Sequence, residues 1–180
     1  MLRRIPFFLL LPAMLSCSKS DSNPTIDFGA GEGITHRDSN NRPAGPGDPT
    51  DWTSDATWNE QERALFSEIS FDLNGLQQLN LISFASPFPN PSAGQANWTV
   101  QCQQASGAVP PSYTLRVVFV DRTYKALHRL GPLTLIGNRS YRLDYAGMGL
   151  PVKELSRLYY LVYDDNGLVY KGHGDIRHNP

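Results

Sequence analysis

The chain has 180 residues, of which 40% are hydrophobic and 11% aromatic, with a formal net charge of −1. The length allows one domain with extensions, and the near-balance of charge excludes the basic footprint that a nucleic-acid binder needs. Fourteen prolines and fifteen glycines point to loops and short strands rather than long helices.

Arg3 and Arg4 open the chain, followed by an apolar run from Ile5 to Leu15. That run is too short for a bilayer, which takes roughly 20 residues. A positive start, a short apolar stretch and a small residue before a cut site describe a secretory signal over residues 1–16. The site itself reads Met14-Leu15-Ser16-Cys17. It resembles the lipobox of bacterial lipoproteins, with Met14 where the family prefers Leu and Ser16 meeting the small-residue requirement. The alternatives are an ordinary signal peptide or a short buried helix. The resemblance implies that the Cys17 thiol carries diacylglycerol and that the mature protein stays on a membrane through two or three acyl chains. By analogy with enterobacterial lipoproteins, Ser18 in place of Asp implies the outer membrane. With Cys17 acylated, Cys102, the second of two cysteines, has no disulfide partner.

Residues 17–51 hold five apolar side chains (Ile26, Phe28, Ala30, Ile34 and Ala44) among many Gly, Pro, Ser, Asn and Asp. So little burial does not offset the entropy of ordering, which predicts a disordered tether. As a coil, that length spans roughly 30 Å. A lead-in over residues 52–78 follows. Thr57-Trp58-Asn59-Glu60 matches a capping box, and Gln61 to Leu65 are good helix formers. Trp52 and Trp58 are expected to cover one end of the domain.

From Leu79 the hydrophobic period is two, which indicates strands. Trp98, Val100 and Cys102 share one face, Leu115, Val117 and Phe119 another, and Tyr141, Leu143 and Tyr145 a third. Leu158 to Tyr163 is apolar on both faces, as a central strand is. Asp165-Asn166-Gly167 supplies a hairpin turn, Leu168 to Lys171 the returning strand, and Asp121-Arg122-Thr123 a second turn. About seven strands over residues 79–176 predict an all-β antiparallel sandwich.

Ser86-Pro87-Phe88-Pro89-Asn90-Pro91 resembles the opening of the Ig-like C-terminal sorting domains of Bacteroidota type IX secretion cargo. Val117 to Asp121, Tyr141 to Asp144, and Leu150-Pro151 followed by Leu158 to Val162 fit that pattern. The likeness covers about residues 84–174 and implies an Ig-like fold. Arg157 stands where that family has Gly, and residues 172–180 replace its Lys-rich end, so the likeness carries the fold and not the sorting activity.

Chemistry is sparse. His173, Asp175 and His178 have a spacing that suits a metal ion, yet a fraying terminus is a poor preorganised site, so no metal and no cofactor is expected. His128 reads as a packed or half-exposed strand residue. Cys102 falls in the core phase, as a small buried hydrophobe. Glu60 and Glu62 point to different faces of the short helix and form no carboxylate pair. There is no nucleophile elbow, phosphate loop or zinc-protease helix. Tyr159 and Tyr163 alternate on one strand and offer a flat aromatic strip for stacking on sugars, against ordinary sheet packing. The reading is a lipid-anchored, non-enzymatic envelope protein with a binding or structural domain. A polysaccharide-binding module using the tyrosines and an uncharacterised hydrolase are the alternatives.

Overall fold

The computed structural model describes residues 24–29, 33–103 and 110–180. Cys17 and the signal segment lie outside the described residues. The elements in chain order are β1 (Thr53–Ser54), α1 (Glu60–Ala64), β2 (Ile82–Phe84), β3 (Gln95–Cys102), β4 (Ser112–Val120), β5 (Ala126–Ile136), β6 (Arg139–Asp144), β7 (Leu155–Asp164) and β8 (Gly167–Arg177). They form a five-stranded sheet in the order β1-β8-β7-β4-β5 and a three-stranded sheet in the order β2-β3-β6. All pairings between these strands are antiparallel. Omitting the short β1, this is the strand order of an Ig-like sandwich, as the alternating pattern predicts.

Alternation places the core. Ala96, Trp98, Val100 and Cys102 of β3 point inward, their neighbours outward. They meet Leu115, Val117 and Phe119 from β4 and Leu158, Tyr160 and Val162 from β7 in one apolar cluster between the sheets. Phe84, Trp98 and Tyr160 form its aromatic centre, with Phe84 and Tyr160 4.0 Å apart between ring centroids. β7 lies in the middle of its sheet and is buried on both faces from Ser156 to Val162, as its unbroken apolar run requires. β5 is an edge strand and tolerates Pro132, which has no N–H to give a neighbour.

The outer face of the five-stranded sheet is covered as well, and here the structure corrects the sequence reading. Residues 24–29 and 33–51, expected as tether, lie against the sandwich where described. Ile26, Phe28 and Ile34 are buried, and Ile26 N donates to Arg122 O at 2.8 Å. Ile26 and Phe28 join Trp58, Leu65, Phe66 and Leu73 over Val118, Val120, Tyr159 and Leu161 in a second apolar cluster. A low apolar count misled because two large side chains, Ile26 and Phe28, suffice when a waiting sheet face already buries its half of each contact.

Two further differences concern local structure. The capping box sits two residues later than Thr57: Asn59 Oδ1 accepts from Glu62 N at 3.0 Å, and Glu62 Oε2 accepts from Asn59 N at 2.7 Å. Asn59 outcompetes Thr57 because Trp58 N is already bonded to Asn74 Oδ1, which holds that turn outside the helix. The C-terminal segment around His173 and His178, expected to fray, continues β8 to Arg177 along the length of β7.

Candidate functional site

A row of buried or half-buried charged groups lies on the covered outer face, along β8 and the segment that crosses it. Arg157 of β7 and Asp175 of β8 are cross-strand partners. Arg157 Nε and Nη2 donate to the two carboxylate oxygens of Asp175, each at 2.7 Å. Phe28 covers this buried pair, its ring 5.3 Å from the Arg157 guanidinium carbon. One step along β8, His173 Nδ1 lies 2.8 Å from Asp55 Oδ1. The next outward residue, Lys171, is fully buried. Its ammonium donates to Asn74 Oδ1 at 2.7 Å and sits 5.2 Å from the Trp58 ring centroid. Burial pushes Lys171 below the usual ammonium range.

Asp51 links this row to the N-terminal segment. Its Oδ2 accepts from Thr35 N at 3.0 Å and Thr35 Oγ1 at 3.1 Å, and its Oδ1 accepts from Asp175 N at 3.0 Å. Burial first, and the nearby Asp175 carboxylate second, push Asp51 up to about 7. A carboxyl so displaced marks a functional candidate, and Asp51 borders an open cleft of about 430 Å³. Trp52 and Phe84 give the cleft an aromatic floor; Arg37 and Asp48 are on its polar rim.

Trp52 enters this position through a left-handed backbone, φ +61°, and two glycines make room for it and for the backbone that follows it. A Cβ on Gly174 would lie 2.4 Å from the Trp52 indole, and one on Gly172 would lie 2.1 Å from Thr53 O. The sequence Gly172-His173-Gly174 therefore serves close packing on the inner face, while His173 faces outward.

The arrangement holds chain segments together. Three hydrogen bonds already direct the two oxygens of Asp51 at Thr35 and β8. Trp52 Nε1 and Arg37 Nε have no hydrogen-bond partner among the described residues, but both are shut off from solvent, so a ligand in the cleft does not reach them.

The residues singled out from sequence fall as follows. Tyr159 and Tyr163 do share one face of β7, but neither is a free stacking platform. Tyr159 is fully buried under α1, its hydroxyl donating to Glu62 Oε1 at 2.9 Å and its ring meeting Trp58 edge-on. Tyr163 is half-buried against Phe71 and accepts from Arg116 Nε at 3.0 Å. The sugar-binding strip is thus corrected: the apolar residues Trp58, Leu65, Phe66 and Phe71 of the lead-in needed a face, and this is the one they cover. That run was the available signal. Glu62 also turns inward to this tyrosine, while Glu60 stays exposed.

His173, Asp175 and His178 do not converge. His178 Nδ1 lies 3.1 Å from Leu150 O, while the other two bind Asp55 and Arg157. Among the described residues no group of three or more His, Cys, Asp or Glu side chains could hold a metal ion. Cys102 is buried as its phase predicts, and His128 is half-buried against Phe119. Sequence reasoning missed Asp51, Arg157 and Lys171, because a charged residue in a turn or a strand reads as solvent-facing unless its cover is known.

No family model matches the chain, and no curated protein matches it. Two solved structures are similar to part of it, both glycosyl hydrolase family 2 members from Bacteroides cellulosilyticus. One matches over 54% of this chain and 13% of its own, with TM-score 0.30 and 14% identity. The other matches over 54% of this chain and 14% of its own, with TM-score 0.31 and 13% identity. The chain therefore spans only a small part of the length of either, and a likeness at that level carries no argument about its activity.

Proposed function

We propose that this protein is a lipid-anchored envelope lipoprotein whose Ig-like sandwich is a non-enzymatic binding or structural module, with the outer membrane as its place. The observation that carries the reading is the sequence Met14-Leu15-Ser16-Cys17 after a charged start and a short apolar run. Two or three acyl chains on Cys17 hold a protein at a membrane where one chain alone does so only marginally. The sandwich supports the second half of the reading, because its buried charged groups beside the cleft are committed to one another and to its backbone. Arg157 is paired with Asp175, and Asp51 with Thr35 and β8.

Intact mass spectrometry of the protein purified from native membranes tests the anchor. The expected product begins at Cys17 and carries diacylglycerol on its sulfur. A full-length product with its leader, or an unmodified Cys17, overturns the reading. Cross-linking in intact envelopes followed by purification tests the binding role. Reproducible recovery of one protein partner is expected, and recovery of none removes the protein-binding role.

A further inference from the structure

The sandwich has two ends, and the chain enters at a particular one. The 121–125 turn after β4, the start of β7 and the end of β8 lie together, and Ile26 is bonded to Arg122 there. Exposed Leu76 lies at the opposite end, in the segment whose Gln78 N donates to Val169 O near the start of β8. The first end holds a depression of about 360 Å³ lined by Phe28, Arg122, Lys153, Glu154, Leu155 and Arg177. Arg122 stacks its guanidinium 5.1 Å from the Phe28 centroid. Lys153 is held outward by a left-handed backbone, φ +64°, with Lys153 N donating to His178 O at 2.7 Å. Its neighbour Val152 is an exposed aliphatic residue, 49% accessible.

We propose that this end of the sandwich docks on the anionic headgroups of the membrane that carries the anchor, with Arg122 and Lys153 meeting lipid phosphates and Val152 at the headgroup boundary. The inference rests on the reading that Cys17 is acylated. Two observations carry it beyond that reading. Seven peptide units separate Cys17 from Pro24, and a chain of that length reaches at most ~25 Å. The eleven residues of β8 are longer than this, at about 36 Å. The lipid therefore keeps the Phe28 end within ~25 Å of the surface, whereas the Leu76 end is free to lie farther away. Second, the end so held offers cations around an exposed aliphatic residue, the combination that suits an interfacial contact.

Acidic groups near this end include Glu154, which is exposed beside Lys153, Asp27, Asp121 and Asp48, and Lys125 adds a further cation. Asp121 is occupied by its own turn, where Oδ1 accepts from Thr123 N, Thr123 Oγ1 and Lys125 N. Asp27 Oδ1 accepts from Gly29 N. The basic side chains Arg122 and Lys153 are left facing outward.

The test uses the lipidated protein on vesicles of phosphatidylglycerol with phosphatidylcholine and on phosphatidylcholine alone, read by hydrogen–deuterium exchange. On anionic vesicles the amides of residues 121–125 and 150–155 are expected to exchange several-fold more slowly than on neutral ones. Raising the ionic strength from about 0.1 M to about 1 M, which shortens the screening length from about 10 Å to about 3 Å, is expected to remove that protection. So is Arg122→Glu with Lys153→Glu; Lys153→Glu alone, which leaves the Arg122–Phe28 contact intact, is expected to weaken the protection with melting unchanged. Equal exchange on both vesicle types, with the protein acylated and vesicle-bound, overturns the docking and spares the anchor. If mass spectrometry of the same sample shows no acyl group, the anchor reading falls and the docking falls with it.

Discussion

The two faces of the five-stranded sheet are buried by different chemistry. The inner face meets the second sheet through rings and aliphatic side chains. The outer face meets residues 24–29, α1 and the segment after it, and mixes an apolar patch with a row of charged groups. An apolar interface accepts many packings of similar energy. A row of paired donors and acceptors is satisfied in one register, because an unpaired buried group is costly. The outer face thus shows how a Gly- and Pro-rich segment is fixed in place: a few large side chains anchor it and specific polar bonds position it.

Four experiments test that contrast, in order of expected effect. Asp175→Ala leaves the Arg157 guanidinium buried without its partner. It is expected to cost about 3–5 kcal/mol in urea unfolding, whereas Arg157→Met with Asp175→Leu together recovers most of that loss. If both variants lose equally, the pair is not a unit. Next, Phe28→Ala is expected to cost about 3 kcal/mol, as at a core position. A tether residue would cost nothing, so an unchanged urea midpoint would return residues 24–29 to solvent.

Asp51 gives a dependence on pH. Its carboxyl is raised to about 7 in the folded state against about 3.9 unfolded. The stability linked to its proton is therefore fully present below about pH 4 and lost as pH rises to about 7. The stability of Asp51→Asn relative to wild type is expected to climb by a few kcal/mol across that window, whatever its constant offset. A difference that stays flat with pH removes the raised carboxyl. The smallest effect is expected at Lys171. Lys171→Met exchanges a buried cation for an apolar chain of similar length, and Asn74 Oδ1 keeps its bond from Trp58 N. Stability within about 1 kcal/mol of wild type, or above it, is expected in thermal melts. A loss of several kcal/mol would make the ammonium essential to the cover.

Much of the inner sandwich was legible in the chain. The period-two pattern of β3, the two-sided apolar run of β7 and the turn at Asn166-Gly167 each report a local demand that backbone geometry imposes directly. The outer cover was not legible. Phe28 and Ile34 stand alone among small and polar residues, and nothing in their spacing says that a sheet face lies waiting. Tyr159 shows the same limit from the other side. Its phase on β7 was readable, but whether that phase faced water or Trp58 depended on residues a hundred positions earlier. Asp51 and Lys171 look like ordinary surface charges until the segments that bury them are placed.

Local patterning alone determined that this protein has a strand-built core and which residues of β3, β4 and β7 enter it, because alternation acts between neighbours in the chain. Only tertiary packing decided that the N-terminal segment belongs to the domain, that Arg157 and Asp175 are a sealed pair, and which end of the sandwich the chain enters. Those outcomes depend on contacts between distant residues, whose favourable energy exists only once both sides have been brought together.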